Sequence, residues 1–240
     1  MYPEALDHAS QVLSIAPDSE NALLIVGLSN IRLAQPAEAV PPLEHFIDLR
    51  KDSPVAKSDM LLELAYYFVG ESYVKLGQYT DAIPPLEEAL IITPTDADAL
   101  YQLGLAKQSL GECDAALTHY QKAVRLVPDF TEAYQGMAEC YAAENDPGRV
   151  KYARGMLAFG QKDYATAKTY LMDAVQTMPE SVPALLGLGL TYEKLGDFTA
   201  ASDVLQRAMT LDPHDLAVRQ ALGRIQSTLD ALKSQEKSEQ

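Results

Sequence analysis

Four histidines and two cysteines are the side chains with the chemistry of metal ligands, nucleophiles or proton carriers, and their spacing assembles no reacting set. His8, His45, His119 and His214 stand far apart, none with a second histidine or cysteine three or four residues away, the spacing that puts two ligands on one helix face. They read as surface or structural residues. The run GLGL at 187–190 lacks the Gly-Lys-Ser/Thr continuation of a phosphate loop and is better explained by helix packing. Adjacent carboxylates such as Glu87 and Glu88 fall on a helical surface pattern, where solvated charge is the simpler explanation. No nucleophile, base and orienting group come together. The sequence therefore predicts no enzyme, no metal site and no cofactor.

Cys113 and Cys140 sit in helical patterns without CxxC spacing, so buried, reduced thiols are expected. No stretch approaches the roughly 18 consecutive apolar residues of a membrane span. Met1 leads into a helical pattern instead of a basic and then apolar leader. A cytoplasmic location is the reading, with an upstream signal or anchor left open. Charge excludes a further class of partner. The formal net charge is -15, and it is uneven: residues 1–147 hold 23 acidic and 8 basic side chains, whereas residues 148–240 hold 11 of each. Binding a nucleic-acid backbone needs clustered Lys and Arg. An acidic chain repels phosphates, so nucleic acid is not an expected partner.

What remains is surface, and the repeat that builds it is clearest at residues 63–96. Its framework is Tyr66, Gly70, Tyr73, Gly77, Tyr79, Ala82, Leu86, Ala89 and Pro94. Moved on by 34 residues, it falls on Leu100, Gly104, Gly111, Ala116, Tyr120, Ala123 and Pro128. Self-similarity at that period marks a supersecondary unit that buries its apolar face on its neighbours. The pattern resembles the tetratricopeptide repeat, a helix-turn-helix unit, and the resemblance runs through almost the whole chain. It implies an all-α fold, a right-handed α-solenoid of antiparallel helix pairs. Pentatricopeptide proteins have a similar repeat length and read RNA, which the charge disfavours.

In chain order, Tyr2, Ala5, Ala9, Val12 and Pro17 match a second helix whose first helix is missing. Either an upstream sequence supplies that partner or a lone helix caps the array; the apolar face left open by a lone helix favours the former. Full units are expected from about residues 20, 63 and 97. The first of these runs long, because Gly27 to Gly70 spans 43 residues, and the insertion falls around 51–57. The rhythm then breaks. Residues 131–144 read as a lone first helix with Tyr134, Ala138 and Tyr141, and Asn145, Asp146, Pro147 and Gly148 come after it as a turn signal. The expected layout is an acidic subdomain at 1–144, a hinge at 145–149, two units over 148–215, a capping helix at 216–232 and a frayed tail at 233–240.

Spacing of i, i+4 and i+7 lays a stripe along each first helix, and the resemblance implies that these stripes line a concave groove. The stripe residues are Leu24, Leu28 and Ile31; Tyr67, Glu71 and Val74; Tyr101, Leu105 and Gln108; Gln135, Glu139 and Ala142; Tyr152, Met156 and Phe159; Leu186, Leu190 and Glu193. Tetratricopeptide domains that hold chaperone tails clamp carboxylates with Lys, Asn and Arg. The matching places here carry Leu24, Leu28, Asp98, Gln102, Glu132 and Gly136, so that clamp is absent. The sequence predicts a non-catalytic adaptor that binds a peptide or helical segment with apolar and basic character. A homo-oligomerising scaffold, or the interaction module of a larger enzyme or sensor, is the alternative.

Overall fold

The computed structural model describes residues 2–238. Among them the chain is all-α, a succession of helices joined by short turns, with one 3₁₀ turn at Ala56–Ser58. No helix among the described residues is long and apolar enough to cross a membrane. The chain divides into two compact units, Met1–Val127 and Pro128–Gln240.

The first unit holds α1 (Tyr2–Ile15), α2 (Glu20–Arg32), α3 (Pro36–Arg50), α4 (Met60–Lys75), α5 (Tyr79–Ile92), α6 (Ala97–Ser109) and α7 (Cys113–Leu126). The second holds α8 (Thr131–Ala143), α9 (Pro147–Gly160), α10 (Tyr164–Thr177), α11 (Val182–Lys194), α12 (Phe198–Leu211) and α13 (Leu216–Ser238). In each, successive helices pack on one another, and alternate helices also touch: α2 with α4, α4 with α6, α9 with α11, and α11 with α13.

One contact defines the helix pairs. A Cβ built on Gly27 or Gly70 would collide with the side chain of Leu43 or Leu86, and one on Gly104, Gly155 or Gly189 would lie 2.6 to 2.7 Å from Tyr120, Leu171 or Leu205. The partner is always 16 residues later, across the turn. Leu43, Leu86, Tyr120, Leu171 and Leu205 are all fully buried at these sites, and a side chain of that size is worth roughly 1.5–3 kcal/mol when removed from water. Gly in a helix interior costs roughly 1 kcal/mol against Ala, so the close approach it permits more than offsets its penalty. The turn between paired helices closes through a left-handed residue, which is Gly77, Gly111 or Gly196 in three pairs. Ala34 and Lys162 take the same conformation in the other two.

The break in rhythm takes a different form from the expected hinge. The unit boundary falls between Val127 and Pro128, and 145–149 is an ordinary hairpin turn, with Asn145 in the left-handed region like its counterparts. The helix at 131–143 belongs with α9. Tyr134 meets Tyr152 edge-on at 6.2 Å, Gly160 lies against Thr131 and Asp129, and Arg149 sits 5.2 Å above the Tyr141 ring. Thus α9 serves twice, as the second helix of a hairpin with α8 and as the first helix of a pair with α10. The change in charge density at residue 147 therefore does not mark the boundary; Asp129, Glu132, Glu139, Glu144 and Asp146 lie in the second unit. At the end, α13 continues to Ser238, so residues 233–238 are helical and not a frayed tail; residues 239 and 240 lie outside the described residues.

The long repeat is closed by a polar clamp. Arg50 donates from Nε and Nη2 to Asp59 Oδ2 at 2.8 and 2.6 Å, and its Nη1 reaches Glu20 on α2. Asp59 in turn caps α4 by accepting from the backbone of Leu61 and Leu62. The inserted residues 51–59 are thereby pinned at both ends. Neither cysteine forms a disulfide; Cys140 is buried and Cys113 half-buried.

Candidate protein-binding face

The large apolar residues of the first-helix stripes are half-buried in both units, except Val74 and Met156, which are buried. In the first unit they stay half-open. Leu24 and Ile31 on α2 rest against the core around Leu43 and Phe46 without being sealed. Leu28 borders a shallow cleft with Tyr2, Ile25, Leu64 and Phe68. Tyr67 and Leu105 lean on the core of Val74, Leu86 and Leu103 in the same way, while Val74 itself is buried. Tyr101 stacks at a tilt 6.0 Å from Tyr120, whose hydroxyl donates to Gln108 Oε1 at 2.6 Å.

In the second unit one stripe residue is lost to the core and the other large apolar ones stay half-buried. Met156 is buried, 5% exposed, because α11 approaches it through Gly187, where a Cβ would stand 2.7 Å from the Met156 sulfur. Leu186 and Leu190 pack onto the core shared with α13. Phe159 meets Tyr164 at 5.5 Å and Tyr152 meets Tyr134. Gln135 and Glu139 on α8 are exposed and hydrogen-bonded to each other at 3.1 Å. They are not in the row of α9, α11 and α13, so the expected stripe does not continue through them. Met156 is a core residue, whereas Tyr152, Phe159, Leu186 and Leu190 are half-buried, as Leu24, Tyr67 and Leu105 are in the first unit.

Tyr67 is the centre of the first unit's face. Its hydroxyl is held well above the ordinary phenol range, first by burial and then by the negative charge of Glu71, Asp98 and Asp96. The Gln102 amide donates to that hydroxyl, which leaves Gln102 Oε1 buried with no donor. Glu71 is paired with Lys75 at 2.9 Å. Below this ring, Glu63 on α4 donates to Asp96, the N-cap of α6; burial and the Asp96 carboxylate together push Glu63 up to about 7. Asp96 simultaneously accepts from the backbone of Asp98 and Ala99 at 2.9 and 3.0 Å. Neighbouring first helices are thus joined by a carboxyl–carboxylate contact, and the face above it carries aromatic surface and negative potential.

Tyr67, Glu71 and Tyr101 are legible in the sequence as stripe positions, but the Glu63–Asp96 contact is not, nor is Gln102 as more than a failed clamp position. Glu63 falls among apolar residues of a first helix, and that misplaced charge was the available signal.

Helix pairs locked by glycine against a large side chain, stacked within each unit so that alternate helices touch, define a helical-repeat protein. Three family models agree in placing it: tetratricopeptide repeat models match residues 158–225 and 98–129, and a TPR repeat model matches residues 70–111. The chain belongs to the tetratricopeptide repeat family.

Among curated proteins it is 25% identical over 160 residues to Superkiller protein 3 of Schizosaccharomyces pombe, covering 57% of this chain and 12% of that protein. It is 26% identical over 204 residues to Anaphase-promoting complex subunit 7 of Mus musculus, covering 63% of this chain and 34% of that protein. The chain therefore spans only a minor part of both relatives. Among solved structures, a MamA structure superposes with a TM-score of 0.60 at 25% identity, covering 68% of this chain and 91% of that one. The type IV pilus biogenesis factor PilW superposes at 0.51 with 16% identity, covering 92% and 90%, a likeness of fold alone.

Proposed function

We propose that this protein is a non-catalytic adaptor that captures a segment of a partner protein on the first-helix face of its first unit, with Tyr67 and Tyr101 as anchors. The repeat family and the relatives support a protein-interaction role. The observation that carries the finer reading is the half-buried Tyr67 ring under the field of Glu71, Asp98 and Asp96. The surrounding carboxylates favour a basic segment and steer it in, while the half-open apolar stripe of Leu24, Leu28 and Leu105 provides contact area. Affinity purification from the source cells, with bound proteins identified by mass spectrometry, tests this. The double variant Tyr67→Glu, Tyr101→Glu should lose the captured partners while keeping its helical circular dichroism; an unchanged set of partners would refute the face.

A second reading rests on α1, where Ile15 is 87% exposed and Val12 and Tyr2 are also open. Self-association through that face would appear as a mass that rises with concentration in light scattering and disappears in Val12→Glu.

A further inference from the structure

A further surface of the first unit lies on the side of its second helices. Between α3 and α5, floored by α4, lies a cleft of about 610 Å³. Its walls carry Glu44, Asp48, Asp81 and Glu88 together with the rings of Tyr66 and Tyr73. Two of the carboxylates are already engaged: Glu44 accepts from the Tyr73 hydroxyl at 2.6 Å, and Asp48 pairs with Lys51 at 2.7 Å. Asp81 and Glu88 form no ion pair among the described residues, and none of the described cations lines the cleft. The backbone adds further acceptors. The sequence Pro-Pro-Leu-Glu occurs at 41–44 and again at 84–87, and both prolines lie inside a helix each time. Proline has no N–H for the carbonyl four residues earlier. In α3, Asn30 compensates by donating to the Glu38 carbonyl at 3.2 Å. In α5 the residues left without a helical donor are Thr80 and Asp81, and both line the cleft.

We propose that this cleft is a second docking surface, which takes an extended segment of a partner protein bearing arginine side chains. Guanidinium offers five N–H donors and no acceptor, the complement of a wall made of carboxylates and of residues whose carbonyls lack the usual helical N–H donor. It also stacks on aromatic faces, and Tyr66 and Tyr73 provide them. The cleft runs between two helices, and Ile47, Val69, Pro84 and Pro85 give the backbone of an extended segment apolar contact along it. The site is independent of the Tyr67 face, since Tyr66, Val69 and Tyr73 line the cleft and Tyr67 does not.

The test is fluorescence anisotropy of a short labelled peptide with arginine at alternate positions, titrated with the whole protein at physiological salt. Glu88→Lys and Asp81→Lys should each weaken binding by about tenfold, since each reversal replaces an attraction by a repulsion. Glu87→Lys changes the net charge equally on the same helix but does not line the cleft, and it should stay within about twofold of the parent. Neutralising Glu88→Gln should lower affinity by about threefold, which keeps the test open should a reversal unfold the helix. Equal losses in all three reversals would mean attraction to net charge alone and overturn the proposal, as would no binding to the parent protein. Loss in Tyr101→Glu with the cleft variants unaffected would place the peptide on the first-helix face, overturning the cleft and sparing the adaptor reading. Binding of spermine in preference to the peptide would make the occupant a small polycation and equally overturn it.

Discussion

Tyr120 lays its ring in the space that Gly104 leaves open, so close that a Cβ on the glycine would stand 2.7 Å from Tyr120 Cε1. Because the ring is fully buried and rigid, Gly104→Ala forces helices α6 and α7 apart. We expect a loss of about 1–3 kcal/mol, read from the urea midpoint. Gly223 on α13 has nothing within 4 Å of an added Cβ, and Gly223→Ala should instead gain about 0.5–1 kcal/mol from helix propensity. Opposite signs from the same substitution separate packing from propensity.

Arg50 and Asp59 tie the long repeat together. Burial works against the Asp59 charge, but the Arg50 hydrogen bonds and the N–H groups of Leu62 and Leu61 outweigh it and lower its pKa. The Asp59 side chain is only 7% exposed, so Arg50→Ala leaves a buried carboxylate without its cation and should cost about 2 kcal/mol in chemical denaturation. A depressed carboxylate contributes stability that is complete above its unfolded pKa and is lost as pH falls through the lower, folded one. Arg50→Ala should therefore flatten the acid limb of the stability curve.

Glu63 predicts the reverse limb. Its pKa rises from 4.5 in the unfolded chain to about 7, through burial and then through Asp96. Below 4.5 both states are protonated and nothing is lost. As pH rises from there through 7, the folded state must ionise a buried acid beside another carboxylate, and stability drops. Glu63→Gln keeps an N–H donor for Asp96 without the titration. It should remove this drop and be the more stable protein at about pH 8, by about 1 kcal/mol once solvent screening is allowed for, in thermal scans at matched ionic strength.

Met156 and Tyr101 are equivalent as stripe positions, and the structure makes opposite predictions for them. Met156→Ala empties a buried site between α9 and α11 and should cost about 2–4 kcal/mol without altering partner capture. Tyr101→Ala should cost less stability and more binding. Measuring denaturation and capture on both variants separates core from surface.

Much of the architecture was legible because its cause is local. Gly70 and Leu86, or Gly155 and Leu171, are 16 residues apart wherever a helix pair forms, and a contact repeated at fixed separation leaves a period in the sequence. The same holds for the turn residues, since Gly77, Gly111 and Gly196 carry the left-handed backbone the turn needs. The stripe on each first helix was readable as a direction.

The surroundings of each stripe were not readable, because they depend on how near the next helix comes. Met156 became core when Gly187 let α11 close over it, whereas Tyr67 stayed half-open. Residues 131–143 carry the signature of a first helix, yet only packing decides that α9 serves both as their partner and as that of α10. The acidic cleft between α3 and α5 gathers Glu44 and Glu88 from positions 44 residues apart. Of the paired prolines at 41–42 and 84–85, only the second pair lines it. Sequence by itself determined the helix pairs, since those contacts recur at one spacing; tertiary structure decided which faces stay open, since exposure depends on distances between helices that no single helix encodes.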